Sequence, residues 1–350
     1  MRKTLSLAIS AAALLGLTAC DPPLPPEVRT AILEQTVTCE SGDVAVAADG
    51  ALISVVDFIS ETITYSCPDA YVALAEDVAT ADLMLTASPD EASGYSYLPF
   101  ALDASLLVTN LTDLGSLTLS ASSIEKILSG EITMWNDVAL VADNPFENLP
   151  EVPITLVDRA RPEVIKAFEI WMSWLLGREY SSGISADSAF DYNDIAYGDL
   201  GSFGLLSFHD NFDAYLLSAG VATDGEGGFV GADLQSIASA GTQLEIAVEG
   251  VVTSLIVNFS LEPQAQAGSD AAPDPYQAIF PLYLGYRLEG DLVAKVTGMF
   301  VLRSDTQGDI EQFNMSMLPE AVRIGAVSVM SQGLPQPELT KEQLALLGLD

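Results

Sequence analysis

The sequence predicts an α/β protein built on parallel sheet, and three observations carry that prediction. From Val44 to Thr86, short apolar runs alternate with apolar residues at helical spacing, the pattern of parallel strands joined by crossover helices. The stretch from Val152 to Trp174 repeats the theme. Ile154, Leu156 and Val157 read as a strand, Arg159 and Arg161 follow, and Pro162 opens a helix in which Val164, Ile165, Phe168, Trp171 and Leu175 recur at helical spacing. Finally, 350 residues with 49% hydrophobic side chains are enough for two domains with substantial cores.

Taken in order, the chain opens with the form of an export signal. Arg2 and Lys3 precede an apolar run, Leu5 to Leu17, too short to span a bilayer comfortably. Leu17-Thr18-Ala19-Cys20 resembles the bacterial lipobox, in which the cysteine is lipidated and becomes the new N-terminus. Residues 1–20 are therefore expected to be a lipoprotein signal, and 21–34 a stiff proline-rich tether. Cys39 and Cys67 remain, and an even count in an exported chain permits one disulfide; two buried free thiols are the other reading.

Val44 to Ala48 reads as the first strand, and Asp49 as the cap of a helix through Leu52, Val55, Val56 and Ile59. The β-branched run Thr62 to Cys67 reads as a second strand, Pro68 to Val78 as a helix, and Leu83 to Thr86 as a third strand. Ligands of such sheets sit at the carboxyl ends of strands, which singles out Asp49, Gly50, Ser66 to Asp69, and Ser88. Leu98 to Leu102 and Leu106 to Val108 read as extended runs. Ser122 to Glu125 has capping-box form and starts a helix closed by Gly130. Gly201 to Phe208 reads as a strand, Glu249-Gly250 as a hairpin turn, Ile279 to Leu288 as extended, and Val293 to Leu302 and Asp309 to Met317 as helices.

Two features bear on function. The strand that stops at arginine and restarts as a helix sets free N–H groups beside a positive charge, a natural cradle for an anion; a plain turn with solvated arginines is the other reading. Against this stands the charge: 49 acidic residues, 13 basic, net −36. Such a surface repels nucleic acid and anionic lipid headgroups. Enzyme chemistry finds little support, because His209 is the only histidine and no nucleophile elbow, phosphate-binding glycine loop or dinucleotide fingerprint occurs. Two cysteines and one histidine make no metal site, Asp191, Asn193 and Asp194 lack the offsets of a calcium loop, and no cofactor is expected.

The order of motifs resembles the substrate-binding proteins that serve phosphate ABC importers. Leu119 to Asp137 is similar to their "L…I…G.I..W.D" segment, the turn at Ile154 to Arg159 follows it, and Gly201-Ser-Phe-Gly-Leu-Leu resembles their G-x-I-G-Y strand. Ala81 to Ser88, Phe300 to Ser304 and Met317 to Arg323 are similar to their third strand, closing helix and terminus. The resemblance implies a two-lobed periplasmic-binding-protein fold. Each lobe is a mainly parallel sheet flanked by helices, and the ligand cleft lies between them. Lobe one would comprise 35–103 and 284–345, lobe two 104–283, with crossing strands near Leu98 to Ser105 and Pro281 to Arg287.

It further implies a lipid-anchored extracytoplasmic solute-binding protein, partnered by an ABC permease, for phosphate or another small anion. The ligand positions carry over poorly. Arg159 matches the family's phosphate-contacting arginine, but the D-G-S-G-T that follows is here Arg161-Pro162-Glu163-Val164-Ile165. The family's G-S-S turn falls on Ser66-Cys67-Pro68-Asp69, its G-S-T turn on Ala48-Asp49-Gly50, and Ser88 survives as a hydroxyl donor. Losing several donors, each worth roughly 1.5–3 kcal/mol to a charged ligand, predicts weak phosphate binding or none. Glu163 is expected to neutralise Arg159 or Arg161 from within. The alternative is a binding-protein-like module that serves as a sensory or partner-binding surface lipoprotein.

Overall fold

A computed structural model describes residues 25–222, 228–265 and 272–334. The export signal, Cys20 and most of the proline run lie outside these residues.

Helix α1 (Pro26–Thr36) comes first. It replaces the C-terminal part of the expected tether, since Pro26 suits the first helical position and nothing after it breaks a helix. Ile32 and Leu33 are buried, and Glu34 pairs with the buried guanidinium of Arg323. Strand β1 (Gly42–Ala48) then leads through a single tight turn into α2 (Ile53–Ser66). β2 (Ala70–Leu74) and β3 (Leu83–Thr86) flank β1 on either side, both parallel to it.

Here two expectations fail together. Thr62 to Cys67 is the end of α2, not a strand, and the segment after Pro68 is a strand, not a helix. Val55, Val56, Ile59 and Ile63 are all buried on one face of α2. Burying Ile63 contributes about 2 kcal/mol, against a few tenths for each β-branched residue placed in a helix. Past Pro68, Ala70 and Val72 point inward and Tyr71 outward, the two-residue period of a strand. Cys39 and Cys67 are disulfide-bonded, tying the segment before β1 to the end of α2.

β4 (Ser96–Thr109) joins two expected extended runs into one nearly fully buried strand. In the second half of the fold, β5 (Leu117–Leu119), α3 (Ala121–Leu128) and α4 (Val138–Asp143) follow. The cap of α3 is Ser120, which accepts the Ser123 amide, two residues before the expected position. Next come β6 (Thr155–Leu156), β7 (Arg159–Ala160), α5 (Pro162–Leu176), β8 (Ser185–Ala186), α6 (Asn193–Ala196), β9 (Ser202–Ser207) and α7 (Phe208–Ala214). β10 (Leu217–Ala222), β11 (Phe229–Val230), α8 (Leu234–Gly241) and the hairpin β12 (Leu244–Glu249) and β13 (Val252–Val257) complete it.

The chain returns along β14 (Ile279–Tyr286) into α9 (Leu292–Val301), α10 (Ser304–Asp309) and α11 (Glu320–Met330). The helix expected over Asp309 to Met317 is absent. A short tight turn, Ile310–Phe313, ends at Asn314 in the left-handed conformation (φ 56°), which asparagine tolerates, and Ser316 pairs with Leu102.

β4 and β14 run antiparallel through the middle and join the two halves. Pro99 and Pro281 lack N–H groups, and the register shifts between Leu282 and Tyr283, opposite Pro99. β3 adds to the outer edge of β14, and β9 and β10 add to the two opposite edges of the C-terminal half of β4. Parallel pairs form the flanks, β1 with β2 and β3, β6 with β9, β5 with β10. One continuous hydrophobic core underlies both halves. Among the described residues no helix is long and apolar enough to cross a membrane.

Candidate functional site

The tips of strands β1, β3 and β9 and the start of α5 converge on a cleft of about 720 Å³ between the two halves. On the first wall, Asp49 does not cap the turn that follows it. Its carboxylate accepts the Thr86 hydroxyl at 2.6 Å and the Ala87 amide at 3.2 Å, so it binds the end of β1 to the end of β3. Thr86 Oγ1 accepts the Ser88 amide at 3.0 Å. Gly50, Ser54 and Ser88 face the cleft beside them.

The second wall begins at Arg161, which precedes Pro162 and the first turn of α5. Its side chain is 19% exposed, and Nη2 lies 3.5 Å from Asp210 Oδ1. Its buried Nε has no partner among the described residues. Asp210 is held in turn by Ser207, whose hydroxyl donates to Asp210 Oδ2 and accepts the Asp210 amide, each at 2.9 Å. Asp191, Tyr192 and Asp213 line the same wall. Desolvation first, and then the Asp213 and Asp191 carboxylates, push the Tyr192 phenol above its ordinary range.

Glu163 does not take the expected arginine as partner. It reaches across the cleft instead and accepts the Ser88 hydroxyl at 2.9 Å, while Asp210 occupies the guanidinium. The reason is local: Arg161 is turned toward the Ser207–Asp210 turn and Glu163 stands one residue into the helix on the cleft side.

Of the residues expected at the site, Asp49, Gly50, Ser88 and Arg161 share the cleft. Ser66 does not. It ends the 14-residue α2 whose start faces the cleft, and so lies roughly 20 Å away. Arg159 is also elsewhere, half exposed and paired with Asp194 at 2.9 Å and Asp187 at 3.6 Å. Reading from sequence missed Thr86, Tyr192, His209, Asp210 and Asp213. Ser207-Phe-His-Asp210 carries a legible signal, the S-x-x-D of a helix start directly after a strand. Among the described residues no cluster of three or more metal-ligating side chains occurs.

Two motifs in the second half turn out to be structural. Trp135 is buried and donates its indole N–H to the Gly201 carbonyl at 3.1 Å. Gly201 adopts φ +94°, and a Cβ there would lie 2.4 Å from the Pro153 carbonyl.

With this geometry established, three comparisons bear on the chain. The model of the PBP superfamily domain matches residues 64–278. Over 86 residues the chain is 31% identical to the phosphate-binding protein PstS of Xylella fastidiosa strain Temecula1, and the match spans 24% of this chain and 24% of that protein. Two solved structures are similar in fold. One is a phosphate-binding protein described as periplasmic and high-affinity, PfluDING, bound with phosphate (TM-score 0.54, 12% identity, 87% of this chain and 98% of that one). The other is the ancestral soluble variant of the human phosphate-binding protein (TM-score 0.53, 12% identity, 87% and 98%). At such identities the structural likeness speaks to fold, and the two-lobed α/β reading is borne out.

Proposed function

The chain belongs to the PBP superfamily, and from that premise we propose that it is the extracytoplasmic solute-binding component of an ABC importer. In this reading Cys20 carries the lipid anchor, lobe one comprises 35–103 and 284–345, lobe two 104–283, and the permease is the partner. The solute sits between the Asp49–Thr86–Ser88 wall and the Arg161–Asp210 wall. Its class is a small anion, as phosphate is for the named relatives.

The observation that carries this reading is the placement of Arg161, poised on the cleft at the head of α5 with one buried N–H still unsatisfied. The same geometry makes the site weak for free phosphate. The guanidinium is already engaged by Asp210, and Asp49, Glu163, Asp191 and Asp213 add further negative charge to the lining.

Calorimetric titration with phosphate tests it. The wild type should bind weakly. Asp210→Asn should tighten binding, because it restores a charge-assisted hydrogen bond worth roughly 1.5–3 kcal/mol, about 10- to 150-fold in Kd. Tight binding by the wild type would overturn the neutralised site, and an Asp210→Asn variant no better than wild type would remove the small anion as ligand class. The anchor is tested separately: Cys20→Ala should leave the membrane fraction.

A further inference from the structure

His209 is the only histidine of the chain, and it stands where the two halves meet. It lies in the first turn of α7, on the second half. Its Nε2 is 2.7 Å from the Ala51 carbonyl, in the tight turn after β1, and its Nδ1 contacts the Phe313 carbonyl, in the turn before α11. Both acceptors belong to the first half. Neither is loose: Ala51 lies between Asp49 and α2, and the Phe313 ring packs on Phe58 of α2 at 5.3 Å. A third bond crosses at the same place, from Asn314 Nδ2 to the Phe208 carbonyl at 2.6 Å.

A carbonyl oxygen only accepts. A ring nitrogen facing one must therefore carry its proton, and two such nitrogens require the imidazolium. In neutral imidazole, one nitrogen would turn a lone pair toward a carbonyl and that contact would become repulsive. At the base of α7, the carboxyl oxygen Oδ1 of the fully buried Asp103 in β4 accepts the His209 amide at 3.1 Å and the Ala104 amide at 2.7 Å. Asp49, from the turn after β1, and Glu163, from α5, line the small cavity beside it, with Arg161 the opposing cation; Asp210 and Asp213 follow on α7 itself.

We infer that His209 is a proton-operated bolt between the lobes: its two ring N–H groups fasten α7 to the Ala51 and Phe313 carbonyls, and loss of one ring proton releases the lobes from each other. The bolt sets the distance between the two walls of the cleft. It rests on the two-lobed fold and not on which solute binds, so it can fail while the ligand reading stands, and the reverse.

The single histidine makes the test direct. In protein labelled with ¹³C and ¹⁵N only at histidine, the side-chain nitrogens at pH 6 should both show the shifts of protonated nitrogen, with N–H protons slow to exchange. On raising the pH to 8.5 that pattern should be lost. Small-angle scattering should show the radius of gyration increase over the same pH range. His209→Gln should be expanded at both pH values and lose the dependence. A singly protonated ring at pH 6 would overturn the proposal whatever the variants do. So would a radius of gyration that changes identically in wild type and His209→Gln.

Discussion

Asp103 lies in a crossing strand, out of contact with water, with two backbone amides as its donors. Burial pushes its carboxyl up to about 7, and the neighbouring His209 pulls in the opposite direction. The consequence for stability has a definite sign. Between about pH 4 and pH 7 the folded chain keeps a proton that the unfolded chain has released, so this group's contribution is full below pH 4 and is lost as pH rises through 7. Asp103→Asn cannot titrate. Its melting temperature should therefore fall less than that of the wild type between pH 5 and pH 8, as measured by calorimetric scans across that range. An equal fall in both would mean that Asp103 does not hold the proton. Gly201 tests a different residue-scale constraint. Gly201→Ala forces a side chain into a left-handed backbone against the Pro153 carbonyl, and should cost more than about 1 kcal/mol of unfolding free energy.

At the scale of elements, α2 shows where sequence reading works and where it stops. Val55, Val56 and Ile59 made its first half legible as a helix, and its second half was lost because Thr62, Ile63 and Thr64 are β-branched. What decides the matter is the burial of Ile63 in the core beneath α2, a tertiary fact with no local signature. α5, with its proline start and apolar stripe, carried its signals locally and was legible from Pro162 to Leu175; Gly177, in the left-handed conformation, ends it. The site divides the same way. Strand-end residues Asp49 and Ser88 follow from the α/β pattern, whereas the choice of Arg161 over Arg159 does not. Adjacent side chains on a strand point to opposite faces, but these two are separated by Ala160 at the end of β7, where the strand gives way to the helix. Their fates depend on Asp194 and Asp210, 35 and 49 residues further on. The disulfide is an element-scale device as well. It closes a segment of 28 residues around β1 and α2, so Cys39→Ser with Cys67→Ser should lower stability by roughly 3–4 kcal/mol in the chain-entropy model, read from denaturant unfolding of oxidised wild type and variant.

For the whole molecule the dominant fact is the charge of −36 on 350 residues. Like charges spread over two lobes repel across the cleft as well as within each lobe, and this repulsion is long-ranged at low ionic strength. The Debye length is about 30 Å at 0.01 M salt and about 8 Å at 0.15 M, so the repulsion is far more strongly screened at the second concentration. Two outcomes follow, of which the second would be reversed for a protein with a basic site. Stability should rise with salt between those concentrations, because screening relieves self-repulsion of the compact state. Capture of a small anion should become faster with salt, since the field around the cleft mouth opposes its approach; for a positively charged cleft, salt would slow it. Stopped-flow association of phosphate with Asp210→Asn, measured across this range, reads the second effect directly. That variant has the larger expected affinity, and its net charge is altered by only one unit. An association rate that falls as salt rises would mean that the field at the cleft is positive despite the overall charge, and that Arg161 rather than its acidic neighbours governs what enters.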